Sequence, residues 1–256
     1  MDNPSLSQRL KTARSVVNLK QGRTDWYRIK NQADADVAEV WIYDEIGYWG
    51  VTASDFVKEL QTVDVDNIEL HINSPGGDVF DGIAIYNALM NHKAKVTSYI
   101  DGLAASAASF IAMAGQEVII ARNATMMIHD AHGLCIGNAA DMAEMANLLN
   151  KSSDNIADIY AQKSGNDVGI WRDAMRAETW YSSDEAVEAG LADKVGSKNS
   201  DKEGVDDSWD LTIFAHTGRR SAPAPTVTAK RSVLPAQAAF EFDPDIFRNA
   251  MKEAAK

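Results

Sequence analysis

The chain has 256 residues, 45% of them hydrophobic, which is ordinary for a soluble globular protein and enough for one domain with extensions. The formal charge of −12 is unevenly spread: residues 1–24 carry five Lys/Arg against Asp2, residues 216–256 carry seven against four acids, and the middle is strongly acidic. An acidic centre argues against nucleic acid as substrate. The lone Cys135 excludes an internal disulfide, the N-terminal sequence is too polar for a secretory leader, and no apolar run is long enough to span a membrane. The expected location is the cytoplasm, with no membrane and no nucleic-acid partner.

Residues 1–24 read as a basic arm with a weak helical pattern at Leu6, Leu10, Val16 and Val17. Regular patterning starts at Trp26. Residues 37–43 read as a strand and 52–61 as a helix capped by Thr52 or Ser54. Ile68, Leu70 and Ile72 alternate as a second strand. A helix is predicted over 78–91, a third strand over 96–100, a small-residue helix over 106–114, and strands over 117–121 and 125–128. This alternation implies an α/β fold with parallel strands and right-handed crossovers. Residues 139–163 form the longest predicted helix, with an apolar stripe suited to projection or pairing. A short helix at 184–189 stops at Gly190 and leads to a last strand, 191–195. Beyond it, residues 197–210 are polar, and Pro223, Pro225 and Pro235 mark the following stretch as an extended linker. Residues 243–256 suggest a short amphipathic helix.

Three segments carry chemistry. Ser74-Pro75-Gly76-Gly77 follows a buried strand and precedes a helix; its glycines let N–H groups face an anion or oxyanion, or serve an ordinary turn. Ser106 stands at a strand-to-helix junction among alanines, where helix N–H groups stabilise a nucleophile's negative charge, or where small residues merely pack tightly. His129 closes a strand beside Asp130 and His132. That cluster hints at a metal pair but lacks a third ligand at a telling spacing, so neither metal nor cofactor is expected. Together, a junction serine, an oxyanion-type loop and a histidine point to nucleophilic catalysis.

These segments, in the same order, resemble the ClpP family of serine peptidases. The family's Ser-Pro-Gly-Gly is matched by Ser74–Gly77, its Gly-x-Ala-Ala-Ser by Gly102–Ser106 and its Met-Ile-His by Met127–His129. Its Glu-Ala-Val-Glu-x-Gly-Leu-x-Asp is matched by Glu185–Asp193. The resemblance runs from about Val37 to Val195. It implies a spiral of β-β-α units with a long projecting helix, and three regions: a basic arm (1–24), a ClpP-like serine protease domain (25–197) and a polar, Pro/Ala-rich tail ending in a short helix (198–256). It also implies Ser106 as nucleophile, His129 as base, and the N–H groups of Gly77 and Ala107 as oxyanion hole. Glu178 falls where the family carries its triad aspartate; Asp173 is reachable only by a five-residue shift. Other implied features are protein or peptide substrates and a homo-oligomeric ring.

The chain departs from the ClpP pattern at Ala107-Ala108 and Asp130-Ala131, and residues 1–24 do not resemble the loops that engage Clp-type ATPases. No ATPase partner is therefore expected. Trp26, Trp41 and Trp49, the glutamate and the long tail look more like the ClpP-related head maturation proteases of tailed bacteriophages. These act on capsid or scaffold proteins, in the host cytoplasm or prohead interior. A Clp-type ring subunit working with an unfoldase, a crotonase-like acyl-CoA enzyme using backbone N–H groups without a serine, and a non-catalytic shell are the competing readings.

Overall fold

The structure is a computed structural model that describes residues 27–32, 36–47, 52–196 and 211–229. The basic arm and the C-terminal helix expected from sequence lie outside the described residues.

One mixed sheet organises the body. Strands β1 (Tyr27–Gln32), β2 (Val37–Ile42), β3 (Asn67–Ser74), β4 (Lys95–Ala105), β5 (Glu117–Ile120) and β8 (Lys194–Val195) are adjacent in that order. All neighbours are parallel except the β1–β2 hairpin. Two further strands, β6 (Thr125–Ile128) and β7 (Thr179–Ser182), branch from this path. The branch is possible because β4 runs for 11 residues: Thr97–Ile100 pair with β5, and Leu103–Ala105 pair in parallel with β6. β7 then pairs antiparallel with β6.

The helices cover one face. They are α1 (Ala53–Leu60), α2 (Val79–Met90), α3 (Ala107–Ala112), α4 (Ala139–Ser164), α5 (Val168–Arg176) and α6 (Ser183–Glu188). Thr52 starts α1 with a reciprocal cap to Asp55, and Asp78 starts α2 by accepting from Phe80 and Asp81 N–H. Alternate residues of β2 (Ala38, Val40, Ile42) meet Ile68, Leu70 and Ile72 of β3 and Val96 and Ile100 of β4 in one core with Phe56, Ile85 and Phe110 from the helices. The core's period-2 pattern is what sets strand register.

The long helix behaves as two halves. Residues 139–151 are almost wholly exposed, whereas Ser152, Ser153, Ile156, Ala157, Tyr160 and Ala161 are buried. The helix therefore projects from the body and docks by its C-terminal half.

The Pro-rich stretch differs from the expected free linker. Residues 211–229 lie against the body, with a short 3-10 turn at Leu211–Ile213. Phe214 joins a small apolar cluster with Leu103, Ala105, Met127 and Trp180, and Val227 enters the main core. Apolar anchors at both ends of the segment hold it against the body despite its prolines.

Candidate active site

The site assembles at the carboxyl ends of β4 and β6, the usual place for chemistry on parallel strands. Ala105 pairs with Met127, so the residues that follow each strand end emerge side by side. Ser106 follows β4 and His129 follows β6. Ser106 N–H donates to the Met127 carbonyl at 3.0 Å, tying the two ends together. Ser106 Oγ and His129 Nε2 are 2.7 Å apart. That is hydrogen-bond reach for a nucleophile and its base.

The backbone at Ser106 is unusual: φ is 51° and ψ is −123°, a conformation that side chains disfavour. The chain holds it through the small residues around it. Ser109 Oγ donates to the Ser106 carbonyl at 2.5 Å and lies 2.7 Å from Tyr160 Oη. Burial pushes the Tyr160 phenol up, so it stays neutral. Strain fixed in this manner aims Oγ outward at the start of α3.

The Ser74–Gly77 loop abuts this turn. A side chain at Gly76 would stand 2.7 Å from the Ala105 carbonyl oxygen and 2.8 Å from the Ala107 nitrogen. Gly77 has φ of 152°, and a Cβ there would fall on the Ile46 carbonyl. Ile46 N–H donates to the Gly76 carbonyl, Asp78 N–H donates to the Ile46 carbonyl, and Ser74 Oγ donates to the Asp44 carbonyl, so the loop is fastened on both sides. Among the described residues the Gly77 and Ala107 N–H groups have no backbone acceptor outside the regular elements. Ala107 opens a helix, where the first N–H is free by geometry.

His129 is buried. Burial, with the like charge of His132 second, pushes its pKa down to about 3. The two histidine rings meet edge to face with centroids 4.4 Å apart, and Phe214 caps His129 at 5.4 Å. Its Nδ1 has no hydrogen-bond partner among the described residues.

Glu178 is where a partner for that nitrogen would be sought. Ile128 pairs with Thr179, so His129 and Glu178 are the next residues outward on β6 and β7. Glu178 is buried and its φ is 49°. Its carboxylate, however, is not on His129. It accepts from Trp180 Nε1 at 3.2 Å and from the backbone N–H groups of Ala215 and His216 at 2.7 and 2.9 Å. The expected Glu178–His129 hydrogen bond is thus replaced, because the 211–229 segment brings two amides to the same carboxylate. Asp173 lies on the exposed face of α5 bonded to Arg176, and Asp130 pairs with Arg172. Neither serves His129. Among the described residues no group of three His, Cys, Asp or Glu side chains converges.

Residues of the 211–229 segment were missed as site residues. Their signal in the sequence was the apolar run Leu211–Phe214 in otherwise polar surroundings.

A profile of the Clp protease family matches residues 22–199. The chain belongs to the Clp protease family. It is 36% identical over 140 residues to an ATP-dependent Clp protease proteolytic subunit of Leuconostoc citreum, covering 53% of this chain and 70% of the relative. It is 30% identical over 189 residues to the protein of the same description from Bdellovibrio bacteriovorus, covering 68% and 89%. As a Clp protease it is a serine-type peptidase, and the mixed sheet with its helical cover is the fold of that family. The Clp protease profile stops short of the 211–229 segment. No described helix is long and apolar enough to cross a membrane.

Proposed function

We propose that this Clp protease is an endopeptidase in which Ser106 is the nucleophile and His129 its general base. The observation that carries the reading is the 2.7 Å contact between Ser106 Oγ and His129 Nε2 at adjoining strand ends. Ser106 Oγ attacks the scissile carbonyl carbon as His129 Nε2 takes the hydroxyl proton. The resulting oxyanion accepts from the Gly77 and Ala107 N–H groups. Collapse breaks the C–N bond, and His129 returns the proton to the leaving amine. Water, deprotonated by His129, then hydrolyses the acyl-Ser106 ester and regenerates the hydroxyl.

Fluorophosphonate labelling tests this. Ser106→Ala should abolish labelling and lower peptide cleavage by roughly a thousandfold or more. Ser109→Ala removes a hydrogen bond to the Ser106 carbonyl but no reacting group, so it should lower both far less than Ser106→Ala does. Labelling that persists in Ser106→Ala overturns the assignment.

For the substrate we favour capsid or scaffold proteins processed during phage head maturation. Support comes from the resemblance noted above and from the long extension past the family match. The competing reading, a proteolytic ring fed by an ATPase, is favoured by the description of both relatives as subunits of an ATP-dependent protease. Cleavage of assembly proteins without nucleotide supports the first. Degradation of a folded substrate only with a Clp ATPase and ATP supports the second.

A further inference from the structure

The 211–229 segment contacts the body at three places. Phe214 sits among Leu103, Ala105, Met127 and Trp180, directly beneath the catalytic strand ends. Arg219 grips the Glu185 carboxylate with two donors at 2.5 Å each. Farther on, Ala229 N–H donates to the Glu188 carbonyl at 2.7 Å, and Asn166 Nδ2 donates to the Thr228 carbonyl at 3.1 Å. Between the first two anchors, Ala215 and His216 present their amides to Glu178.

We propose that residues 211–229 are an autoinhibitory latch that holds the Glu178 carboxylate away from His129. This rests on the Ser106–His129 reading above. For His129 to accept the Ser106 proton, Nε2 must be bare and Nδ1 must carry a hydrogen. That N–H is then buried without an acceptor, and the imidazolium formed in the reaction is buried without an anion. The alternative tautomer, with the hydrogen on Nε2, donates to Ser106 and cannot act as base. Either way the latched site is slow. Glu178 is the next residue outward from the β6–β7 pair Ile128–Thr179, which places it beside His129 on the adjoining strand. Its three N–H donors hold it where it is. Two of the three leave with the segment, and the carboxylate is then free to accept from Nδ1.

Release is tested in the full chain with Phe214→Ala combined with Arg219→Glu. Arg219→Ala alone is a milder second variant, removing only the partly buried ion pair with Glu185. Two readouts are followed: the low-field proton NMR signal of a histidine N–H bonded to carboxylate, and the rate of fluorophosphonate labelling. Release should bring up the low-field signal and speed labelling by about tenfold or more, within the range a triad acid contributes. Glu178→Gln in the released background should cancel both gains. Labelling that is present in the latched enzyme and unchanged or slower on release, a low-field signal that fails to appear on release, or a gain that survives Glu178→Gln, overturns the latch. A low-field signal that appears on release without any labelling of Ser106 keeps the latch and sinks the peptidase reading instead.

Discussion

Two side-chain-bearing residues of the site, Ser106 and Glu178, have φ values of 51° and 49°. Each such residue costs on the order of 1–3 kcal/mol, which the surrounding packing must offset. Neither Ser106 nor His129 was assignable from its local sequence alone; the resemblance to the ClpP motifs picked them out together, and the structure brings their side chains within 2.7 Å. Glu178 was legible only as a position. Where its carboxylate points is decided by amides 37 and 38 residues later in the chain, and no local pattern reports that. The burial of His129 has a consequence for pH. A base works in its neutral form, and its pKa is pushed from 6.5 to about 3, so the acid limb of kcat/KM should fall below about pH 5. The groups that face it are Ser106 just before α3, His132 in its own loop and Phe214 from the latch, while Glu178, on the adjoining strand, is turned to other donors. His132→Ala removes a like charge and should move the limb upward; pairing with Glu178 on release should raise it further. Stability has the same sign. A folded value below the unfolded one means that stability is present above about pH 6.5 and is lost as pH falls toward 3. An acid limb near 6.5 in the latched enzyme would show that the imidazole is open to water.

Most elements were readable from hydrophobic period and caps: β6 and the α2 core match their expected spans closely. Three were not. β1 is a polar edge strand, half-buried at best. β7 has only four residues, too few for a period to show. α5 presents Trp171, Ala174 and Met175 inward, yet it is short and carries Gly169 and charged residues that mask its stripe. β4 ran past its expected end because Leu103–Ala105, within the stretch read as an approach to the nucleophile, also pair with β6, and Ala104 with β3. The loop between β3 and α2 gives an element-level prediction. Gly77 combines φ of 152° with a Cβ position on top of the Ile46 carbonyl. Gly77→Ala should shift the loop and its N–H together, lowering kcat by about a hundredfold as expected for a lost oxyanion donor. KM should change less. A variant with wild-type kcat would show that Gly77 N–H takes no part in the reaction.

At the scale of the molecule, four of the nine exposed large apolar side chains among the described residues gather in one place. Leu134 and Ile136 are 68% and 90% exposed in the loop before α4, and Met142 and Leu148 follow on the projecting half of that helix. A monomer gains nothing from holding a helix of 26 residues half off its body with apolar groups on it. The first half has no core of its own to stabilise it, and isolated helical segments of that length are marginal. A second copy of the same surface would bury these groups in an isologous contact, while contacts elsewhere close a ring. The resemblance to ClpP implies a ring of about six or seven subunits, or a stack of two, and the exposed face of α4 suits a contact in such an assembly. Light scattering should give a mass several times 27.9 kDa. Ile136→Asp with Leu148→Asp, placed on exposed positions that leave the folded core untouched, should reduce that mass without unfolding the chain. Like charges brought together at the contact would cost several kcal/mol in all, enough to dissociate a micromolar assembly. A fully active monomer at micromolar concentration would rule the ring out and leave the projecting helix to some other partner.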